Sequence, residues 1–143
     1  MQEAPAERTQ VPIKGARLRL GESPALMGSR CPQCGEHFYP PRYVCLNCYQ
    51  EGLEEVALST RGELWTFTIA RAALPGTLMT PPYVIAQVRL PEGVHVATVL
   101  TDVDPDAVRI GMPLELVVEK ASVDSEGNDV MTFKFRPAKE ARP

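Results

Sequence analysis

The chain has 143 residues, a formal net charge of −3, 44% apolar residues and four cysteines. That length holds one ordinary domain or two small ones, and the acidic balance disfavours a surface built to neutralise nucleic-acid phosphates, which needs a basic surplus or stripe. No apolar stretch is long enough to cross a bilayer, and Met1 to Arg8 lack the basic-then-apolar pattern of an export signal, so no membrane role and a cytoplasmic location with reduced thiols are expected.

Residues 1 to about 12 are polar and proline-bearing and read as a mobile tail. Ala16-Arg17-Leu18-Arg19-Leu20 then alternates like a strand, tightly framed by Gly15, Gly21 and Pro24. A short strand or extended arm fits that framing better than a helix. Residues 1–26 are therefore assigned as an N-terminal arm, with Leu26 and Met27 packing at its junction with the next unit.

Residues 27–60 carry the four cysteines, as Cys31-Pro32-Gln33-Cys34 and Cys45-Leu46-Asn47-Cys48, two CxxC knuckles separated by ten residues. The two-residue gap lets a tight turn aim both sulfurs of a pair at one point, and two such pairs suit a tetrahedral structural zinc ion. Gly35 supplies the bend after the first knuckle. Residues 36–44 read as a short hairpin arm. Paired disulfides would need an oxidising compartment, and a redox CxxC needs a strand-to-helix setting; another thiophilic metal, including iron in an electron carrier, stays open. With Cys31, Cys34, Cys45 and Cys48 as ligands, the ion has no vacant position and is structural. His37 is then a surface residue of the ribbon arm.

From Arg61 the texture turns to β-branched and aromatic residues. Residues 62–70 predict a first strand with Trp65, Phe67 and Ile69 on one inward face. An apolar, proline-bearing loop follows, in which Leu74, Leu78 and Met79 either form a docking surface or fold over one end of the domain. Residues 83–90 and 94–100 pair as a hairpin around Pro91-Glu92-Gly93. Asp104 caps a short helical turn, and residues 114–120 and 130–136 make a last hairpin around Ser125–Asp129. Five strands with one helical turn describe a small Greek-key barrel over residues 61–137, of which the OB-fold is the best-known type; an open sheet is the alternative. Residues 138–143 are a C-terminal tail. The fold class is mainly β, a rubredoxin-like zinc ribbon followed by a five-stranded OB-fold barrel.

The phrases Arg30-Cys31-Pro32-Gln33-Cys34-Gly35, Tyr39-Pro40-Pro41-Arg42, Cys45-Leu46-Asn47-Cys48, Gly62-Glu63-Leu64-Trp65-Thr66-Phe67-Thr68, Pro82-Tyr83-Val84-Ile85-Ala86, Ile110-Gly111-Met112-Pro113-Leu114 and Phe135-Arg136-Pro137 occur in this order. Together they resemble the acyl-CoA-associated zinc-ribbon/OB-fold family, from about residue 27 to 137. Many members of that family begin with a helical extension, whereas the arm here is short and proline-bearing. The resemblance implies one structural zinc ion and an accessory subunit that docks on a thiolase-fold catalytic partner in a hetero-oligomer. It also implies help in forming or ordering the partner's CoA-thioester site. Partners of aryl-succinyl-CoA-type thiolases look like this, which would place the chain in aromatic-compound or other β-oxidation-like degradation.

The residues agree with a non-catalytic role. A thiolase needs an activated cysteine with acid/base partners, and here every cysteine is assigned to metal, with only His37 and His95 remaining. His95 reads as an exposed or half-buried strand residue. No GxSxG, phosphate loop or HExxH occurs, so no catalytic residue is assigned. Arg42, Arg61, Arg71 and Arg89 have the guanidinium chemistry for CoA phosphates, against the plainer reading of solvated surface charges. The alternative function is an OB-fold module for single-stranded nucleic acid, stacking bases on Trp65, Phe67 and Tyr83. The acidic balance and the expected core position of Trp65 and Phe67 weigh against it.

Overall fold

The computed structural model describes residues 9–72 and 80–138. Leu74, Leu78 and Met79, read above as a docking loop or a barrel cover, lie outside the described residues. In chain order the strands are β1 (Gln10–Pro12), β2 (Leu18–Arg19), β3 (Ala25–Arg30), β4 (His37–Phe38), β5 (Glu54–Ala57), β6 (Arg61–Ala70), β7 (Tyr83–Arg89), β8 (His95–Leu100), β9 (Pro113–Val123) and β10 (Asp129–Pro137). The one helical element among the described residues is a 3-10 turn at Pro105–Ala107, where the Asp104 carboxylate accepts from the Asp106 N–H at 3.0 Å.

β6, β7 and β8 form an antiparallel meander, and β9 returns to the start of β6, pairing Arg61 with Glu115 and Glu63 with Pro113. β10 runs antiparallel along β9 and meets β8 in parallel at Phe135 and Leu100, where the Thr101 N–H donates to the Phe135 carbonyl at 2.9 Å. That contact completes a closed ring of five strands. The ring closes through that single residue pair, and the open-sheet alternative is excluded. Alternation along β7 drives the interior: Val84, Ala86 and Val88 point inward at 2% exposure or less, with Leu64, Val96, Leu114 and Phe135 around them. Fully burying each large apolar side chain of this kind stabilises the fold by about 1.5–3 kcal/mol.

Two sequence expectations change. The inward stripe of the first strand holds for Phe67 and Ile69, which pack on the core, but Trp65 is 46% exposed. Leu64 pairs with Val88 and Thr66 with Gln87, so Trp65 is the extra residue of a β-bulge. The bulge turns Leu64 inward and Trp65 out, and a strict period of two cannot anticipate it. Likewise, the tail proposed for residues 1–12 is structured from Gln10 onward. β1 pairs in parallel with β10, Gln10 opposite Asp129 and Pro12 opposite Met131. Pro12 has no N–H to give, and it sits on an outer strand, where none is required.

The ribbon sheet is built on β3, which pairs with β2, β4 and β5. Gly28 makes this convergence possible: a Cβ there would meet the Phe38 carbonyl oxygen at 2.5 Å and the Leu58 side chain at 3.0 Å. Leu26 and Leu58 are at most 3% exposed and belong to one apolar cluster with barrel residues such as Leu64 and Leu90. A polar clasp reinforces this joint, since the Ser59 N–H and hydroxyl both donate to Glu92 Oε2, at 2.8 and 2.9 Å. Ribbon and barrel therefore share a core.

Candidate metal centre

The two knuckles fold by the same local rules. In the first, the Gly35 N–H donates to the Cys31 carbonyl and the Cys31 N–H to the Glu36 carbonyl, both at 2.9 Å. In the second, the Tyr49 N–H donates to the Cys45 carbonyl and the Cys45 N–H to the Gln50 carbonyl, again at 2.9 Å. The residue after each CxxC takes the left-handed conformation, with φ of +81° at Gly35 and +63° at Tyr49. These bonds aim four sulfurs at one point. Cys31 Sγ lies 3.5 Å from Cys48 Sγ and Cys34 Sγ 3.6 Å from Cys45 Sγ, and all four lie within 4.8 Å of one another.

Those spacings test the donor set. Zinc–sulfur bonds of about 2.3 Å in a tetrahedron put sulfurs about 3.8 Å apart, close to what the chain shows, and a disulfide requires about 2.05 Å. The residues fit a zinc ion. The Asn47 and Cys48 N–H groups point at Cys45 Sγ from 3.3 and 3.4 Å, which stabilises a thiolate there and fixes its direction. Cys31 and Cys45 are fully buried and Cys34 and Cys48 exposed, so the cluster faces solvent on one side. Among the described residues the grouping consists of these cysteines alone, and His37 sits on β4 as an arm residue.

Crowding four thiols splits their acidities. The Glu36 backbone N–H, with the Asn47 side chain, lowers Cys34 to about 6. At Cys48 the Gln50 backbone N–H pulls downward, but burial and the three neighbouring sulfurs prevail and raise the group to about 12. Of the two exposed thiols, Cys34 is thus the readier to ionise and Cys48 the more reluctant. A bound cation reverses the balance at Cys48 by supplying positive charge, and its proton must then leave. Zinc binding to the metal-free chain at pH 7 is thus expected to release at least the Cys48 proton. Affinity should fall about tenfold per pH unit for each proton released, and more steeply below about pH 6, where Cys34 also protonates. Titration calorimetry in buffers of different ionisation enthalpy measures this release, and a pH-independent affinity would contradict it.

Other residues singled out in the sequence are placed separately. Tyr39, from the Tyr39-Pro40-Pro41-Arg42 phrase, turns inward: its hydroxyl donates to the Ala16 carbonyl at 2.6 Å, its ring packs on the core, and burial raises its pKa. Arg61 and Arg89 share a surface recess of about 580 Å³, whereas Arg42 lies on the ribbon and Arg71 beyond the end of β6. The four arginines do not form one phosphate site. The Trp65 ring lies 4.9 Å from the His95 ring, tilted by 44° to it, and under the Arg89 guanidinium at 5.2 Å, while Phe67 turns to the core. Trp65, Phe67 and Tyr83 therefore do not form a common base-stacking platform. The second knuckle holds what the sequence reading missed: Tyr43, Leu46 and Tyr49 are 68%, 56% and 78% exposed. The one available signal was a tyrosine where the first knuckle has Gly35.

Comparison with known proteins now bears on this site. Residues 20–54 match the family described as the ChsH2 rubredoxin-like zinc ribbon domain, and residues 55–119 match the ChsH2 C-terminal OB-fold domain. The chain belongs to the ChsH2 zinc-ribbon and OB-fold family. It is similar to a DUF35 domain-containing scaffold protein of Methanothermobacter thermautotrophicus, 38% identical over 78% of this chain and 86% of that one. It is also similar to benzoylsuccinyl-CoA thiolase subunit BbsA of Thauera aromatica, 32% identical over 81% of this chain and 77% of the relative. Among solved structures, the Ltp2-ChsH2(DUF35) aldolase contains a chain that superposes with a TM-score of 0.67 at 31% identity, covering 79% of this chain and 84% of that one. The ChsH2 ribbon model spans both CxxC knuckles, and the OB-fold model spans β6 to β8 and ends within β9.

Proposed function

We propose that this chain is a zinc-braced, non-catalytic subunit of an acyl-CoA thiolase-type complex, docking on a thiolase-fold subunit and helping to order its CoA-thioester site. One observation carries the reading. All four cysteines of the chain converge in a single sulfur cluster, so no thiol remains as an acyl-transfer nucleophile in a chain whose relatives include a thiolase subunit and a chain of an aldolase complex. Within the subunit, residues 1–26 act as an arm, 27–60 as the ribbon, 61–137 as the barrel and 138–143 as a tail. Cys31, Cys34, Cys45 and Cys48 hold one structural zinc ion. The complex works in the cytoplasm on the carbon–carbon bond of a CoA thioester, in aromatic-compound or other β-oxidation-like degradation. The recess holding Arg61 and Arg89 is where CoA phosphates would be met on this chain, since guanidinium forks match phosphate oxygens.

Co-expression with a thiolase-fold protein from the same genome tests the proposal. The two chains should co-elute as one species and show CoA-dependent thiolysis that neither shows alone. A thiolase-fold protein fully active without this chain would contradict the subunit role.

A further inference from the structure

We infer that the second knuckle is the docking tip, inserting Tyr43, Leu46 and Tyr49 into an apolar recess of the catalytic subunit that carries a carboxylate at its rim. This rests on the subunit reading above and adds the surface through which the subunit docks. Of seven large apolar side chains exposed among the described residues, three lie within this one seven-residue turn. Burial in the chain's own core does not account for them, and neither phenol hydroxyl is hydrogen-bonded among the described residues.

Tyr49 gives the stronger argument. Its φ of +63° is the conformation that Gly35 adopts at the matching position of the first knuckle. A side chain there crowds the following carbonyl, a penalty that glycine escapes. The second knuckle bears that penalty to hold a ring 78% in solvent, where it does nothing for the fold. A strained residue is a pointer to function when the strain serves nothing local. Tyrosine is also the side chain that interfaces favour, a large rigid apolar body with a polar end. Zinc and the knuckle hydrogen bonds fix the turn beforehand, so little order would be lost on docking. Trp65 differs, because its ring already contacts Arg89 and His95.

The charge of the partner follows from the flank. Tyr43 borders a groove of about 250 Å³ that is also lined by Arg17, Arg42 and Glu55. Neither guanidinium has a carboxylate within ion-pair distance among the described residues. The groove thus has one positive charge in excess, on a chain of net charge −3. An acidic residue at the rim of the partner's recess satisfies it, and charge-assisted pairing with arginine fixes orientation.

The experiment uses the full zinc-loaded chain and the purified thiolase-fold protein with which it co-elutes, with affinity read by calorimetry or surface plasmon resonance. Tyr49→Gly removes the ring and relieves the backbone, so it should retain one zinc ion and melt no lower than the wild type while binding at least tenfold more weakly. Tyr43→Ala with Leu46→Ser should weaken binding by a similar factor, and Arg42→Glu should reduce its salt dependence. Wild-type affinity in Tyr49→Gly and in the double variant would overturn the inference while leaving the subunit reading intact. Absence of binding by the wild type would overturn both. A wild-type chain that dimerises alone, with the dimer abolished by Tyr49→Gly, would make a second copy the occupant and overturn the assignment to the catalytic subunit.

Discussion

Cys45→Ser is expected to yield a chain that neither retains zinc nor keeps its ribbon folded. Cys45 is fully buried, and its sulfur receives the Asn47 and Cys48 N–H groups as well as completing the cluster. Apparent binding free energies for structural zinc run to about 10–16 kcal/mol, against a whole-domain stability of about 5–15 kcal/mol. Loss of most of the first is comparable to the whole of the second. The damage should also reach the barrel, because Leu26 and Leu58 on the ribbon side belong to the same apolar cluster as Leu64 and Leu90. Elemental analysis and a thermal melt followed by circular dichroism measure both effects. A Cys45→Ser chain without metal that melts with the wild type would refute the structural assignment.

Phe135→Ala should produce the largest loss among single changes inside the barrel. Phe135 is fully buried, meets Phe133 edge to face at 6.4 Å, and occupies the position where β10 touches β8. Truncating a buried phenylalanine costs about 3–5 kcal/mol, and here the cavity would open beside the single residue pair between β8 and β10. Denaturant unfolding should show that loss, with zinc still bound in the native baseline. A change below about 1 kcal/mol would mean that the seam is held elsewhere.

The sequence made the metal site more legible than its surroundings. Four cysteines in two identical spacings leave little freedom, since a tight turn at each pair places the sulfurs regardless of what encloses them. The barrel strands were legible for a similar reason: alternation in residues such as Val84, Ala86 and Val88 reports directly on which face is buried. The position of Trp65 was hidden because a bulge inserts one residue without a compositional mark. The role of the arm was hidden too, as the partner of Gln10–Pro12 lies near the other end of the chain and no local pattern refers to it. Tyr39 was hidden in another way. The hairpin arm of residues 36–44 gave no direction for its ring, and its hydroxyl finds the Ala16 carbonyl, a contact that depends on tertiary placement.

The parallel pairing of β1 with β10 also imposes an order on how the protein is made. The knuckles need only residues close to one another in the chain, so the ribbon can take up its metal while later segments are still being synthesised. The barrel cannot close then, because its seam requires Phe135, and β1 has no partner until Asp129 to Met131 have emerged. Pairings between the two ends of a chain form late and slowly, since their loop entropy is lost before contact repays it. The ribbon can thus become rigid before the barrel, and β1, made before both, takes its place only when β10 is available.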